Sequence, residues 1–248
     1  VPILEPSTEG LGLGSTPIGP TWHFGAYFLG SDDQGRDVFA RLLYGGINSL
    51  LISVGSTIIC LVFSASMGVV AGFFGGMVDS ILSRILDVIW AFPVFLLAIS
   101  LSIVLINQSV DIGPIHVTAD SLWLPIFIIG IVYVPYVARP IRGQVLSLKN
   151  SEFVLAAIGL GVPSHRILFK DILPNVATTL IVFVPLMMAL NMLTESALSF
   201  LSIGVQSPDA SWGTIIQDGQ NLLYTRPAVA LAPGIAIAVT GLTLNVFG

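Results

Sequence analysis

The sequence predicts an all-α, polytopic transmembrane bundle with five visible spans, and three observations predict it. Only 9% of the 248 residues are charged, against roughly 25% in ordinary soluble domains. Mean hydropathy is +0.94, so too little polar surface remains to cover a water-facing globule. The apolar residues are gathered into long continuous runs instead of alternating with polar ones, which excludes the short alternating strands of a membrane barrel. The net charge of −5 argues against nucleic acid as a partner, because phosphate neutralisation needs clustered Lys and Arg. Cys60 is the single cysteine, so neither a disulfide within the chain nor a cysteine metal cluster is possible.

A bilayer core of about 30 Å needs about 20 apolar helical residues. Five segments qualify: Ile47–Phe74, Ile81–Ile106, Leu122–Ala138, Val176–Leu201 and Pro227–Phe247. Pro93, Pro125, Pro135, Pro185 and Pro233 fall in or at the ends of these spans. Each removes a backbone donor and is expected to kink its helix. In the first span Ser64, Gly68 and Gly72 recur every fourth residue, which puts small side chains on one face for close helix packing or a moving gate surface.

The connections alternate in charge. Arg84 follows the first span, and Arg139, Arg142, Lys149, Arg166 and Lys170 occupy the third connection. The second connection, Asn107–Ser121, holds Asp111 and Asp120 without Lys or Arg, and the fourth, Ser202–Arg226, holds Asp209 and Asp218 with only Arg226. The positive-inside rule therefore places Arg84 and the third connection in the cytoplasm, and residues 1–46 outside it. A hydrophilic outer segment without an export signal predicts a further transmembrane helix before Val1. The stop at Gly248, straight after a span, predicts a cytoplasmic tail beyond it.

Between Ser31 and Gly46, Asp32 or Asp33 is placed to cap a short helix. Val38, Phe39, Leu42 and Leu43 share its apolar face, as in an interfacial helix lying on the outer surface. The third connection, Arg139–Pro174, is too long for a simple connector. Glu152–Ile158 is a good helix former, Gly159, Gly161 and Pro163 break it, and Ser164 begins a second short helix that Pro174 should end. Ala156 and Ala157 offer a flat surface and Gly161 permits a sharp turn, as docking onto a cytoplasmic partner requires.

Residues Leu155–Asn175, LAAIGLGVPSHRILFKDILPN, resemble the EAA loop of bacterial ABC-importer permeases. Ala156, Ala157, Gly161, Leu173 and Pro174 match, while Leu155 stands at the position of the motif's Glu and Glu152 lies three residues earlier. Three further stretches resemble the dipeptide/oligopeptide/nickel branch, and its C-type subunit in particular. They are Gly30–Gly45 with GSDDQGRD, Thr194–Val205 with TESALSFLSIGV, and Ser207–Ile216 with SPDASWGTII. The four stretches keep the family's order. The resemblance implies a type I ABC importer permease fold, a bacterial or archaeal cytoplasmic membrane, and a sixth span.

It also implies partners: a second homologous permease subunit, two cytoplasmic ABC ATPases that carry ATP and Mg²⁺, and an extracytoplasmic solute-binding protein. No cofactor is expected on this chain, which has no G-x-x-x-x-G-K-[ST]. Glu152, Ala156, Ala157, Gly161, His165, Arg166, Lys170 and Pro174 would form the ATPase-coupling surface. For His165, Arg166 and Lys170 the alternative is anchoring at lipid headgroups. Asp209, Trp212 and Asp218 would meet the binding protein or dip into the pore mouth, with Trp212 and Tyr224 as interfacial aromatics the alternative. Glu195, a carboxylate deep in a span, either couples protons or fixes the helix end with Ser196 and Ser199. Asn191 either lines the pore or bonds between helices, and Arg84 and Asp87 are spaced to pair.

A secondary transporter or channel would also be a helical bundle. Such proteins usually carry several intramembrane ionisable groups, and the long basic connection would then have no role. An intramembrane enzyme lacks its motifs here: no H-E-x-x-H, G-x-S-x-G or C-x-x-C occurs.

Overall fold

The computed structural model describes residues 19–23, 27–106, 110–112, 115–117, 122–206 and 209–247. Residues 1–18 of the expected outer segment, and Asp120 of the second connection, lie outside the described residues.

Helix α1, Val38–Phe74, is a single helix of 37 residues. It absorbs the expected interfacial helix, so Ser31–Gly46 is not a separate element. Asp37, not Asp32 or Asp33, caps it: Oδ1 accepts from the N–H of Phe39 at 2.8 Å and of Ala40 at 3.2 Å. Asp37 Oδ2 takes the N–H of Tyr27 at 2.6 Å. The capping carboxylate thus fixes the incoming chain as well as the helix end.

The second expected span is broken. Helix α2, Gly76–Trp90, and α3, Val94–Ile106, meet at 87° around Pro93, where the ring removes a donor and crowds the preceding turn. A short antiparallel ribbon, β1 Val110–Ile112 with β2 Ile115–Val117, follows in the connection. The third span is also bent: α4, Trp123–Val132, and α5, Val134–Lys149, meet at 43° just before Pro135. Residues 139–149, expected in the connection, extend this span as helix.

Helix α6, Glu152–Gly159, forms where expected. The second short helix does not stop at Pro174. Helix α7, Ser164–Ile167, passes through a π-turn, Leu168–Ile172, into α8, Leu173–Phe200. The wider π-turn precedes the proline's first turn, where its missing N–H is tolerated. The chain therefore stays helical from Ser164 to Phe200. The fourth connection carries its own helix, α9, Trp212–Gly219, before α10, Ala228–Phe247.

Helix α1 is the axis of the bundle and packs on α4, α5 and α8. Its small-residue face is the seam. A Cβ on Gly68 would lie 2.7 Å from the carbonyl oxygen of Ala138, and one on Gly72 would lie 2.8 Å from Val145 Cβ. Ser64 Oγ donates to the carbonyl of Val134 at 2.9 Å. Backbone approach of this kind maximises dispersion and polar contact where lipid supplies no hydrophobic drive. Many of the large apolar side chains facing away from the seam, Ile58, Val62, Ile181, Val182, Ile235 and Val239 among them, are exposed, as suits a lipid-solvated surface.

Candidate functional site

Two surfaces at opposite ends of α1 gather the polar and motif residues. At the carboxy-terminal end lies α6. Gly161, at φ +75°, closes α6: its N–H bonds to the Ile158 carbonyl at 2.9 Å, and the N–H of Val162 bonds to the Ala157 carbonyl at 3.0 Å. This paired closure needs a left-handed residue after the helix, which glycine adopts without a Cβ penalty. Val154 is buried and joins a core with Val145, Ile167, Ile172 and Val176. One side of α6 is thereby seated on the bundle.

The other side is bare. Phe153, Leu155, Ile158 and Leu160 are exposed, Leu160 by 84%, and Phe169 joins them at 64%. Of the expected residues, Glu152, Ala156, Gly161, His165, Arg166, Lys170 and Pro174 are exposed here and Ala157 is half-buried. Helix α6 and the first turns of the α7–α8 rod bring them to one end of the molecule. Sequence reasoning missed these five large apolar side chains, although four of them lie in FVLAAIGL inside a basic connection, which carried the signal. A rigid apolar patch rimmed by Glu152, His165, Arg166 and Lys170 is what a protein partner covers.

Behind this end, α2 is clamped to α5. Asp79 accepts from two Arg142 nitrogens, Nε on Oδ1 and Nη2 on Oδ2 at 2.6 Å, and this fork geometry is the strong form of the ion pair. Asp87 pairs with Arg139 at 2.8 Å, not with Arg84, which is exposed. The bundle brings α5 alongside α2, and the Arg139 guanidinium, set 5.4 Å from the centre of the Trp90 ring, is already fixed in place. Lys149 Nζ donates to the Phe73 carbonyl at 2.7 Å, closing the end of α1.

At the amino-terminal end of α1 the structure builds a knot of three helices. Glu195 is fully buried. Its Oε2 accepts from Ser49 Oγ at 2.9 Å and from Ser196 Oγ at 3.3 Å, and its Oε1 accepts from Ser199 Oγ at 2.7 Å. Ser49 Oγ takes the N–H of Trp212, and Ser199 Oγ takes the N–H of Val205. Backbone donors fill both hydroxyl oxygens, so their protons point at the carboxylate. One side chain thus ties α1, α8 and α9 together. Glycines let the backbones meet: a Cβ on Gly213 would fall 2.4 Å from the Ser196 carbonyl oxygen.

Trp212 is buried in this knot, its Nε1–H donating to the Leu42 carbonyl at 3.0 Å. It is not an interfacial aromatic, whereas Tyr224 is fully exposed. At the far end of α9, Asp218 joins a lattice the sequence reading did not anticipate. Arg41 Nη1 donates to Asp32 Oδ2 at 2.6 Å and to Asp218 Oδ2 at 2.7 Å. Arg36 reaches the same two carboxylates at 2.7 Å and 2.9 Å. Two cations and two anions balance, which permits burial of Asp32, Arg36 and Arg41. Asp209 is exposed at the rim, with Gln34, Gln206 and Gln217 lining the same groove.

Between the two ends, Asn191 is buried and bonds between helices. Its Nδ2–H donates to Thr57 Oγ1 at 2.9 Å, and the Thr57 hydroxyl proton goes to the Ser53 carbonyl. Thr194 and Tyr133 share a bond of 2.8 Å beside it.

The fold has a solved counterpart. A chain of the MetNI methionine ABC transporter, in inward-facing conformations, superposes with a TM-score of 0.63 at 15% identity, covering 84% of this chain and 94% of that one. A likeness at that identity speaks for the fold alone. Residues 64–248 match the family described as "Binding-protein-dependent transport system inner membrane component". The chain belongs to that family, the permease subunits of ABC importers, as its motifs indicated.

Curated relatives agree. The dipeptide transport system permease protein DppC of Alkalihalophilus pseudofirmus is 36% identical over 222 residues, 90% of this chain and 69% of that protein. The oligopeptide transport system permease protein OppC of Bacillus subtilis is 37% identical over 222 residues, 90% of this chain and 68% of its own length. OppC of Haemophilus influenzae is 35% identical over 224 residues, 90% and 68% respectively.

Proposed function

We propose that this permease carries di- or oligopeptides and that its two ends serve two partners. The names of its relatives support the solute class. The carrying observation for the mechanism is α6: a short helix, locked by Gly161 and seated through Val154, that presents an apolar face at the basic end of the bundle. That end is cytoplasmic by the positive-inside rule. A cytoplasmic ATPase, holding ATP and Mg²⁺, grips α6, and His165, Arg166 and Lys170 meet the rim of its cleft. Closure of an ATPase pair on nucleotide then biases the bundle between two arrangements. A second, homologous permease completes the pathway, and a solute-binding protein delivers peptide to the end that carries α9 and Asp209. The chain itself contributes translocation and no ATP chemistry.

The experiment is reconstitution of the chain with its neighbouring subunits in lipid vesicles. The expected result is peptide uptake that requires both ATP and the binding protein. Uptake driven by an ion gradient without any ATPase would instead identify a secondary transporter. Competition by a nickel chelate but not by peptides would move the solute class.

A further inference from the structure

Among the described membrane-crossing elements, α1 alone is unbroken and free of proline along its length. The others each carry a weak point. Pro93 sits at the 87° break between α2 and α3, and Pro135 and Pro140 sit at and beyond the 43° bend between α4 and α5. Helix α8 follows a π-turn and contains Pro185, and α10 contains Pro233. Proline removes a rung of the hydrogen-bond ladder, so those spans bend locally before they transmit force. Helix α1 spans about 55 Å at 1.5 Å per residue.

Both ends of that rod are gripped. At its amino-terminal end α9 is pinned twice. Ser49, itself held by Glu195, and the Leu42 carbonyl hold Trp212 at the start of α9, and Arg36 and Arg41 hold Asp218 at its finish. At its carboxy-terminal end Gly68 and Gly72 lie against the backbone and Val145 of α5, and Lys149 caps the Phe73 carbonyl. From Lys149 only Asn150 and Ser151 separate α5 from α6. A mechanical path therefore runs from α9 along α1, and through the Gly72 and Lys149 contacts it enters α5 beyond Pro140 and so reaches α6.

We infer that α1 is the strut that carries a docking event at α9 to the α6 end, and that Glu195 and the Asp32–Arg36–Arg41–Asp218 lattice are positioning residues that fasten α9 to it. The inference rests on the importer reading above. It requires that α9 move with α1 as one body, not as a free outer loop. Motion at one end then appears at the other without a pore-lining relay.

The test softens the strut at mid-helix, where its side chains are exposed in this chain. Ile58 and Val62 are each 58% exposed, four residues apart at mid-helix, and α10 offers a matched pair in Ile235 at 61% and Val239 at 56%. The complex of permeases, ATPases and binding protein is reconstituted in nanodiscs. ATPase turnover is read with and without peptide-loaded binding protein. In the Ile58→Gly/Val62→Gly double variant, basal turnover persists while the stimulation ratio falls ~5-fold or more, the low end of typical site-to-site coupling. Ile58→Gly alone, the milder variant, gives a partial loss. Ile235→Gly/Val239→Gly keeps the ratio. An unchanged ratio in the α1 variants overturns the strut, and so does an equal loss in the α10 pair. If the unaltered complex shows no ATPase at all, the importer reading itself fails and the strut falls with it.

Discussion

Single residues decide whether the junctions close. Gly213 lies so near the Ser196 carbonyl that a methyl group must lift α9 off α8. Gly213→Ala is therefore expected to cost roughly 1–3 kcal/mol, as overpacking does, read as a lower thermal midpoint in detergent. Gly161 faces open space, with nothing within 4 Å of a Cβ, so its constraint is conformational. Gly161→Ala at φ +75° costs roughly 1–2 kcal/mol, while Gly161→Asn, which tolerates the left-handed region, should cost less. If both cost the same in ATP-coupled uptake and in stability, the turn geometry is not what matters there. Glu195 gives a third ordering. Glu195→Gln keeps one acceptor oxygen for the serine hydroxyls, whereas Glu195→Ala leaves Ser49 and Ser199 with protons and no acceptor, at roughly 1–3 kcal/mol each. Unfolding midpoints should fall in the order Glu, Gln, Ala. Glu195 and its neighbours Ser196 and Ser199 were legible in the sequence because they lie close together along one span. Ser49, 146 residues away, had no signal in the sequence.

Elements show where local rules hold and where packing overrides them. Helix α6 was legible because helix formers are bracketed by Ser151 and the Gly159–Pro163 breakers. The end of the α7–α8 rod was not: Pro174 reads locally as a stop, but the π-turn before it and the packing of Ile172 and Val176 carry the helix through. The exposed face of α6 makes the prediction at this scale. Leu155→Asp/Ile158→Asp should leave the chain's own thermal midpoint nearly unchanged, since both side chains are exposed. Capture of the ATPase should fall ~10-fold or more, as loss of an interface anchor does. Unaltered capture would exclude α6 as the grip. By contrast Asp87→Ala should change little, because its pair with Arg139 is exposed on both sides and surface pairs contribute about 0–1 kcal/mol.

For the whole molecule, the sequence by itself determined a multi-pass helical bundle, the seam on α1 and the family. Length, apolarity and the four-residue repeat of small side chains are properties of contiguous chain, and lipid leaves the backbone no alternative to helix. The positions of the spans followed from the same arithmetic. Only the tertiary structure decided which ends are locked together. It broke the second span at Pro93, extended the third to Lys149 and folded α9 into the fourth connection. It also matched Asp218 to Arg36 and Arg41, 182 and 177 residues earlier, and buried Trp212 against Leu42 and Gly46 of α1. Those pairings depend on how helices far apart in the chain come to lie side by side. Charge and hydropathy along one helix do not encode the neighbour that will satisfy a buried carboxylate, so that choice belongs to the assembled bundle.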